Sequence, residues 1–264
     1  AAAVLAEGGA ADALPFNVWI DTRLTLHART DDVDQWGEFA LAAIGADYLV
    51  NDRFMAGVAL YGDWMRDLSD DSAVEGSGFL AGPYVSIGLA DGVTLDANLF
   101  YGRSWNDASA TVLATDYAGR FETDRLLFRA KLEGTWTADA LTIRPNATFF
   151  LINEEAEDYT VSSAEGSPID VPGFEKTDYR IGLGATFEYA YVLDNGVDLT
   201  PQLGISIAGG NGGDGDFFSE AYGRLTAGVV LAGEAWKLGG RVELDAGTSG
   251  ERAVSARGTF GVGF

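Results

Sequence analysis

Polar and apolar residues alternate without a break between Asp178 and Tyr189. The odd positions read Tyr179, Ile181, Leu183, Ala185, Phe187 and Tyr189, the even ones Asp178, Arg180, Gly182, Gly184, Thr186 and Glu188. A period of two puts the first set on one face of a β-strand and the second on the other. The same alternation returns between turn signals along the whole chain and predicts twelve strands. They are Phe16–Arg29, Gly37–Val50, Phe54–Arg66, Gly78–Leu89, Val93–Asn106, Asp124–Thr137, Leu141–Asn153, Thr177–Val192, Val197–Ala208, Phe218–Ala232, Ala235–Thr248 and Arg252–Phe264.

Short turns alternate with long polar loops. Asn51-Asp52, Asp91-Gly92, Ala138-Asp139, Asp194-Asn195-Gly196 and Gly233-Glu234 are the tight connections, and Asp-Gly is a strong hairpin dipeptide. The acidic loops Thr30–Gln35 and Asp67–Glu75, the loop Glu154–Phe174 with Pro168 and Pro172, and the glycine-rich Gly209–Asp216 lie at the other end. Between the fifth and sixth strands a long excursion extends both beyond the rest. Such asymmetry is the habit of outer-membrane barrels.

The two faces of each strand differ sharply. The sixth offers Leu126, Phe128, Ala130, Leu132 and Trp136 on one side, and Arg125, Arg129, Lys131 and Glu133 on the other. The eleventh sets Trp236, Leu238, Val242 and Leu244 against Lys237, Arg241, Glu243 and Asp245. The twelfth sets Val254, Ala256, Phe260, Val262 and Phe264 against Ser255, Arg257 and Thr259. Facing the wrong way in a bilayer, each cation would cost about 2–4 kcal/mol, so the register is firmly specified. Aromatics gather at two heights. Trp136, Trp236, Phe187, Tyr189, Tyr48 and Phe264 fall near the short turns, and Trp64, Tyr101, Trp105, Tyr179 and Phe218 near the long loops. Two such belts are expected where strands cross both membrane interfaces. A soluble sandwich or lipocalin-like barrel would hide the apolar face inward instead, and alternation alone does not choose between the two. Strand number, belts, loop asymmetry and the terminal Phe264 favour an all-β, twelve-stranded antiparallel transmembrane barrel.

Composition narrows the reading further. No run approaches 18 charge-free apolar residues, and mean hydropathy is +0.04, so no transmembrane helix is predicted. The absence of cysteine excludes a disulfide framework and thiol-held metals. A net charge of −23 argues against a nucleic-acid binder. Residues 1–15 contain no Lys or Arg and so lack the basic start of a secretory signal. They are expected to be a linker, a marginal helix at best, belonging to a processed or longer chain.

With the strands laid out, the chain resembles the translocator β-domain of autotransporters, the type V secretion family of Gram-negative bacteria. The resemblance covers Phe16–Phe264. It rests on twelve strands, Gly82-Pro83-Tyr84, Val93-Thr94-Leu95-Asp96 with Tyr101-Gly102-Arg103, Arg144-Pro145, Leu199-Thr200-Pro201 and the terminal Phe260-Gly261-Val262-Gly263-Phe264. It implies an outer-membrane anchor that exports a covalently attached N-terminal passenger, with both termini periplasmic and residues 1–15 in the lumen as a linker or plug. It gives Phe264 the role of a signal for the barrel-assembly machinery, and makes outer-membrane lipid and lipopolysaccharide the surroundings. Some members cleave the linker at an Asn-Asn pair; residues 1–16 contain none, which puts that route in doubt. A stand-alone porin-like channel for small solutes is the alternative reading. Twelve strands enclose a lumen wide enough for a helix or an extended strand and too narrow for a folded domain.

The candidate site is that lumen. Arg23, Arg125, Arg129, Lys131, Arg144, Arg180, Arg241 and Arg257 share inward parity with Asp21, Asp96, Glu133, Asp178, Glu188, Glu243 and Asp245. The plain expectation is a paired lattice that satisfies its own charges. The functional one is a polar conduit, free of apolar patches, for an extended passenger. Trp64, Trp105, Trp136, Trp236 and Tyr189 are the expected interfacial aromatics. No cofactor or metal set is expected, and no catalytic one. His27 is the only histidine, and the neighbouring Asp31 and Asp32 mimic a rim protease pair, but a His-Ser pair at phospholipase spacing is missing. Gly204-Ile205-Ser206-Ile207-Ala208 is a broken nucleophile elbow and reads as plain wall. Gly209–Asp214 is half of a calcium repeat present once, and reads as a loop. Acidic side chains in the long loops, from Asp31 to Asp216, serve solubility or hold divalent cations against lipid phosphates.

Overall fold

A computed structural model describes residues 15–28, 36–69, 71–164, 166–211, 220–248 and 250–264. The linker 1–14, the loop 29–35 with Asp31, Asp32 and Asp34, Asp70, and residues 212–219 with Asp214, Asp216 and Phe218 lie outside that set.

Twelve long strands are hydrogen-bonded in chain order. They are β1 Phe16–Ala28, β2 Trp36–Asn51, β3 Phe54–Ser69, β4 Ser72–Ala90, β5 Val93–Val112 and β6 Thr115–Gly134, followed by β7 Leu141–Ala156, β8 Phe174–Tyr189, β9 Asp198–Gly210, β10 Glu220–Ala232, β11 Trp236–Gly247 and β12 Arg252–Gly263. Every neighbouring pair is antiparallel, and β12 pairs with β1 from Asn17↔Gly263 to Ala28↔Arg252, which closes the barrel. Closure leaves no unpaired edge, the condition for a sheet to sit in hydrocarbon. At the seam Phe264 donates its backbone N–H to the carbonyl of Phe16, and the two rings meet at 6.5 Å.

The outer face carries the aliphatic set. Leu24, Leu203 and Ile207 are 63%, 61% and 66% exposed, whereas Asp47 and Glu243 on the inner face are each 2% exposed. This inversion of the soluble rule is what a lipid solvent asks for. A lipid-crossing strand needs about 9–11 residues. β5 and β6 have 20 each, so about half of that hairpin projects past the membrane at the long-loop end. Outward ion pairs mark the boundary: Arg66–Glu75 at 2.8 Å above Trp64, and Arg120–Asp107 at 2.7 Å above Trp105. Gly92 at φ +71° makes the short Asp91-Gly92 turn. The tip of the β5–β6 hairpin uses Leu113 and Ala114 at φ +50° and +64° instead, left-handed positions that favour glycine.

Two local expectations need correction. Residues 154–174 are not one irregular loop: β7 continues to Ala156, a small hairpin pairs Tyr159–Val161 with Ile169–Val171, and β8 starts at Phe174. Phe121 stacks on Tyr159 at 4.8 Å, so the apolar contact with β6 orders a segment that its prolines and acidic residues made look like coil. The eighth strand does not reach Val192. It ends at Tyr189, and Tyr191–Val192 bridges to β9 separately. The excursion after Asn106 does extend both strands, as expected, and is regular strand up to the Leu113-Ala114 turn.

Candidate functional site

The inner face gathers the titratable residues into paired groups. On β10–β12 and β1, Glu243 is a hub: Arg23 reaches it at 3.0 Å, Arg224 at 3.2 Å and Arg241 at 2.9 Å. Arg224 also forks onto Asp245 at 2.6 and 2.8 Å, and Arg257 is paired with Asp21. On β6–β8, Arg144 donates to Glu188 at 3.0 Å and comes within 3.7 Å of Glu133, which Lys131 also contacts. Gln202 donates to the other oxygen of Glu188 at 3.0 Å. Arg125 crosses two strands to hold Asp63 bidentately at 3.0 and 2.8 Å, and lies so close over Gly78 that any side chain there would collide with it. Lys176 pairs with Asp178 at 3.1 Å. Arg180 sits over the ring of Tyr222 at 5.4 Å, a cation–π contact.

All the lumen residues named from the sequence face inward; most pair within a strand or with the next one, and Arg23–Glu243, Arg125–Asp63 and Arg180–Tyr222 reach across one or two intervening strands. Other members were missed, among them Asp47, Asp63, Lys176 and Arg224. Asp63 and Arg224 share the inward parity of their strands and could have been found by extending the pattern to β3 and β10. Their partners follow from the stagger between strands, which single-chain periodicity does not contain. His27 packs its ring over Gly37, the residue opposite it on β2, so that a Cβ at Gly37 would collide with the imidazole. Trp64, Trp105, Trp136, Trp236 and Tyr189 all point outward and are 37–58% exposed.

The expectation of a wall without apolar patches fails. Trp19, Ala43, Met55, Ala59, Leu80, Tyr84 and Phe100, on β1–β5, form a buried cluster on the inner face, with Leu41, Leu49, Tyr61 and Leu127 packed against it. A relay of hydrogen bonds anchors it. The indole N–H of Trp19 donates to the Tyr84 hydroxyl at 2.6 Å, the hydroxyl donates to Asp47 Oδ2 at 2.6 Å, and Asn17 donates to Asp47 Oδ1 at 2.9 Å. Gly45 and Gly57 leave room for the Trp19 and Tyr84 rings to lie against the sheet, where a Cβ would strike them. Large inward rings thus fill the barrel on one side because their polar tips are satisfied and their bodies stay dry.

A closed twelve-stranded barrel, greasy outside and charged within, defines a transmembrane β-barrel of the outer-membrane kind. The Autotransporter beta-domain family model matches residues 28–257. This chain belongs to the autotransporter β-domain family. It resembles in fold the β-domain of the Bordetella autotransporter BrkA, with a TM-score of 0.79 at 18% identity over 95% of this chain and 100% of that one. The translocator domain of NalP from Neisseria meningitidis superposes with a TM-score of 0.78 at 13% identity, over 100% of this chain and 94% of that one. The CymD monoaromatic hydrocarbon channel fits less well, with a TM-score of 0.55 at 10% identity over 96% and 89%. No curated protein sequence matches the chain. As an autotransporter β-domain, it is the outer-membrane unit that exports a covalently attached N-terminal passenger.

Proposed function

We propose that the passenger crosses along the charged side of the lumen, with the short-turn end of the barrel and both termini in the periplasm. The observation that carries this is the split interior. β1–β5 fill their side with packed rings around Trp19, whereas the wall from β6 round to β12, joined by Asp21 and Arg23 of β1, is a lattice of guanidinium and carboxylate groups. An extended chain slides along paired charges without a dry surface to adhere to. Residues 1–15 enter the lumen from the periplasmic side in this reading, and Phe264, joined to Phe16 at the seam, is the mark read by the assembly machinery. Lipopolysaccharide surrounds the outer girdle of Trp64 and Trp105. The role is transport.

Epitope insertion in live cells tests the orientation. A tag in the Leu113-Ala114 turn should bind antibody on intact cells, and one at Asp194–Gly196 should bind only after permeabilisation. The opposite labelling would overturn the orientation. A passenger fused ahead of Ala1 should appear at the surface in a protease-sensitive form, and its retention inside would overturn the route.

A further inference from the structure

On the lipid-facing wall, outward side chains of neighbouring strands line up in hydrogen-bonded rows. One row runs from Leu183 on β8 to Ile207 on β9, Gly223 on β10, Ala246 on β11 and Arg252 on β12. Gly209 and Ala221 face each other one step nearer the long loops. With Gly223 and Ala246 they form the floor of an apolar groove of about 550 Å³, and Ile181, Leu183 and Ile207 form its side. Ile205, Leu225 and Leu244, each 50–55% exposed, stand as a ridge one step nearer the short turns and close the groove toward the membrane centre. A Cβ built on Gly223 would meet no atom within 4 Å. The volume lies in the range of ligand sites, and a hollow facing hydrocarbon is filled by acyl chains, not water.

Charge at the rim narrows the occupant. At the long-loop end the outward Arg66, Arg103 and Arg120 each hold a carboxylate at 2.7–2.8 Å. Arg252, next to Ala246 at the end of the groove, has no carboxylate partner among the described residues. Only Ala28 separates it from Trp36 in the same row, which sets it close to the outer membrane interface. Lipid tails are as apolar as leucine, so the groove alone does not choose between lipids. A guanidinium at an interface does, because its fork matches phosphate oxygens.

We infer that this groove seats the acyl chains of lipopolysaccharide, with a lipid phosphate held by Arg252. The choice of lipopolysaccharide over a glycerophospholipid rests on the proposed orientation, which sets the long-loop end in the outer leaflet. The width agrees with it: the groove crosses four strands, about 14 Å at the usual spacing, which suits several chains under one headgroup.

Native mass spectrometry on the full 264-residue chain, released from detergent, tests the seat. The probe is diphosphoryl lipid A, with dipalmitoylphosphatidylglycerol as the competitor. The wild type should retain one lipid A, and phosphatidylglycerol should displace it only in large excess. Gly223→Leu fills the floor without striking a neighbour and should lose the bound lipid. Gly62→Leu, at an outward glycine of β3 in equally open surroundings, should keep it. Arg252→Gln should weaken retention severalfold, and it decides alone where Gly223→Leu fails to fold, because it changes one exposed side chain. Lipid A retained undiminished by either variant would overturn the seat, and equal retention of phosphatidylglycerol would overturn its assignment to lipopolysaccharide. Binding to the purified barrel does not depend on which way it sits in a cell, so a failure of the seat and a failure of the orientation are read separately.

Discussion

Around Trp19 the inside of this barrel is packed like the core of a soluble protein, and around Glu243 it is a mesh of ions open to water. Both regions are built by one alternation and face the same lumen. On the first, Trp19, Tyr84, Phe100, Leu80 and Met55 exclude solvent and satisfy their polar atoms through Asp47. On the second, Glu243 is itself buried, yet its arginines Arg23, Arg224 and Arg241 keep about a third of their side chains accessible. Inward parity therefore says only that a side chain avoids lipid. Whether it ends up dry or wet depends on its neighbours two or three strands away.

The largest expected effect lies on the dry side. Trp19→Ala removes the ring that seats against Gly45 and takes the donor from the Tyr84 hydroxyl. A large buried aromatic lost to alanine costs about 3–5 kcal/mol, and the cavity borders the buried side chain of Asp47. Denaturant unfolding in lipid vesicles should read a loss of that size. A loss below about 1 kcal/mol would mean that water already fills this side, and the contrast between the walls would collapse.

Much of the architecture was legible because lipid enforces the period of two on every strand. The faces of β6, β11 and β12 and the Asp91-Gly92 turn were readable from spacing. The dry cluster was not. Trp19, Tyr84 and Phe100 have the same parity as Arg23, Ser86 and Asp96 on their own strands, and nothing in one strand tells which inward residue will meet which. Their assembly depends on the stagger of β1 to β5 and on glycines at 45 and 57, whose role appears only when the rings lie over them. Arg125 reaching Asp63 across β4 and β5 is hidden for the same reason. The small hairpin at 159–171 escaped because Phe121, a partner nearly forty residues upstream, supplies its apolar contact.

A smaller effect is expected from Glu243→Gln. It leaves Arg23, Arg224 and Arg241 without their common anion, but their exposed ends can turn to lumen water. The loss should be about 1–3 kcal/mol, smaller than for Trp19→Ala, and part of it should be recovered in molar salt, which screens the exposed guanidinium groups. The Trp19→Ala loss should hardly respond to salt. Equal salt responses from the two variants would show that the walls do not differ in hydration.

The smallest effect is expected outside the lumen, where an exposed pair sets the reference for both walls. Above the membrane, Arg103 donates to Asp124 at 2.8 and 3.1 Å and to Glu122 at 2.7 Å. The hydrogen bonds from Arg103 hold the Asp124 carboxyl below its ordinary range. A carboxyl depressed on folding stabilises the fold above its unfolded value and loses that contribution as pH falls through its folded value. The difference in melting temperature between wild type and Asp124→Asn should therefore be constant from neutral pH down to about pH 4 and vanish in stronger acid. It should also be smaller than for Glu243→Gln at every pH, because water competes for every group in the rim pair. A rim variant as damaging as the lumen one would mean that enclosure adds nothing to the Glu243 hub, and that the charged wall is no more than surface turned inward.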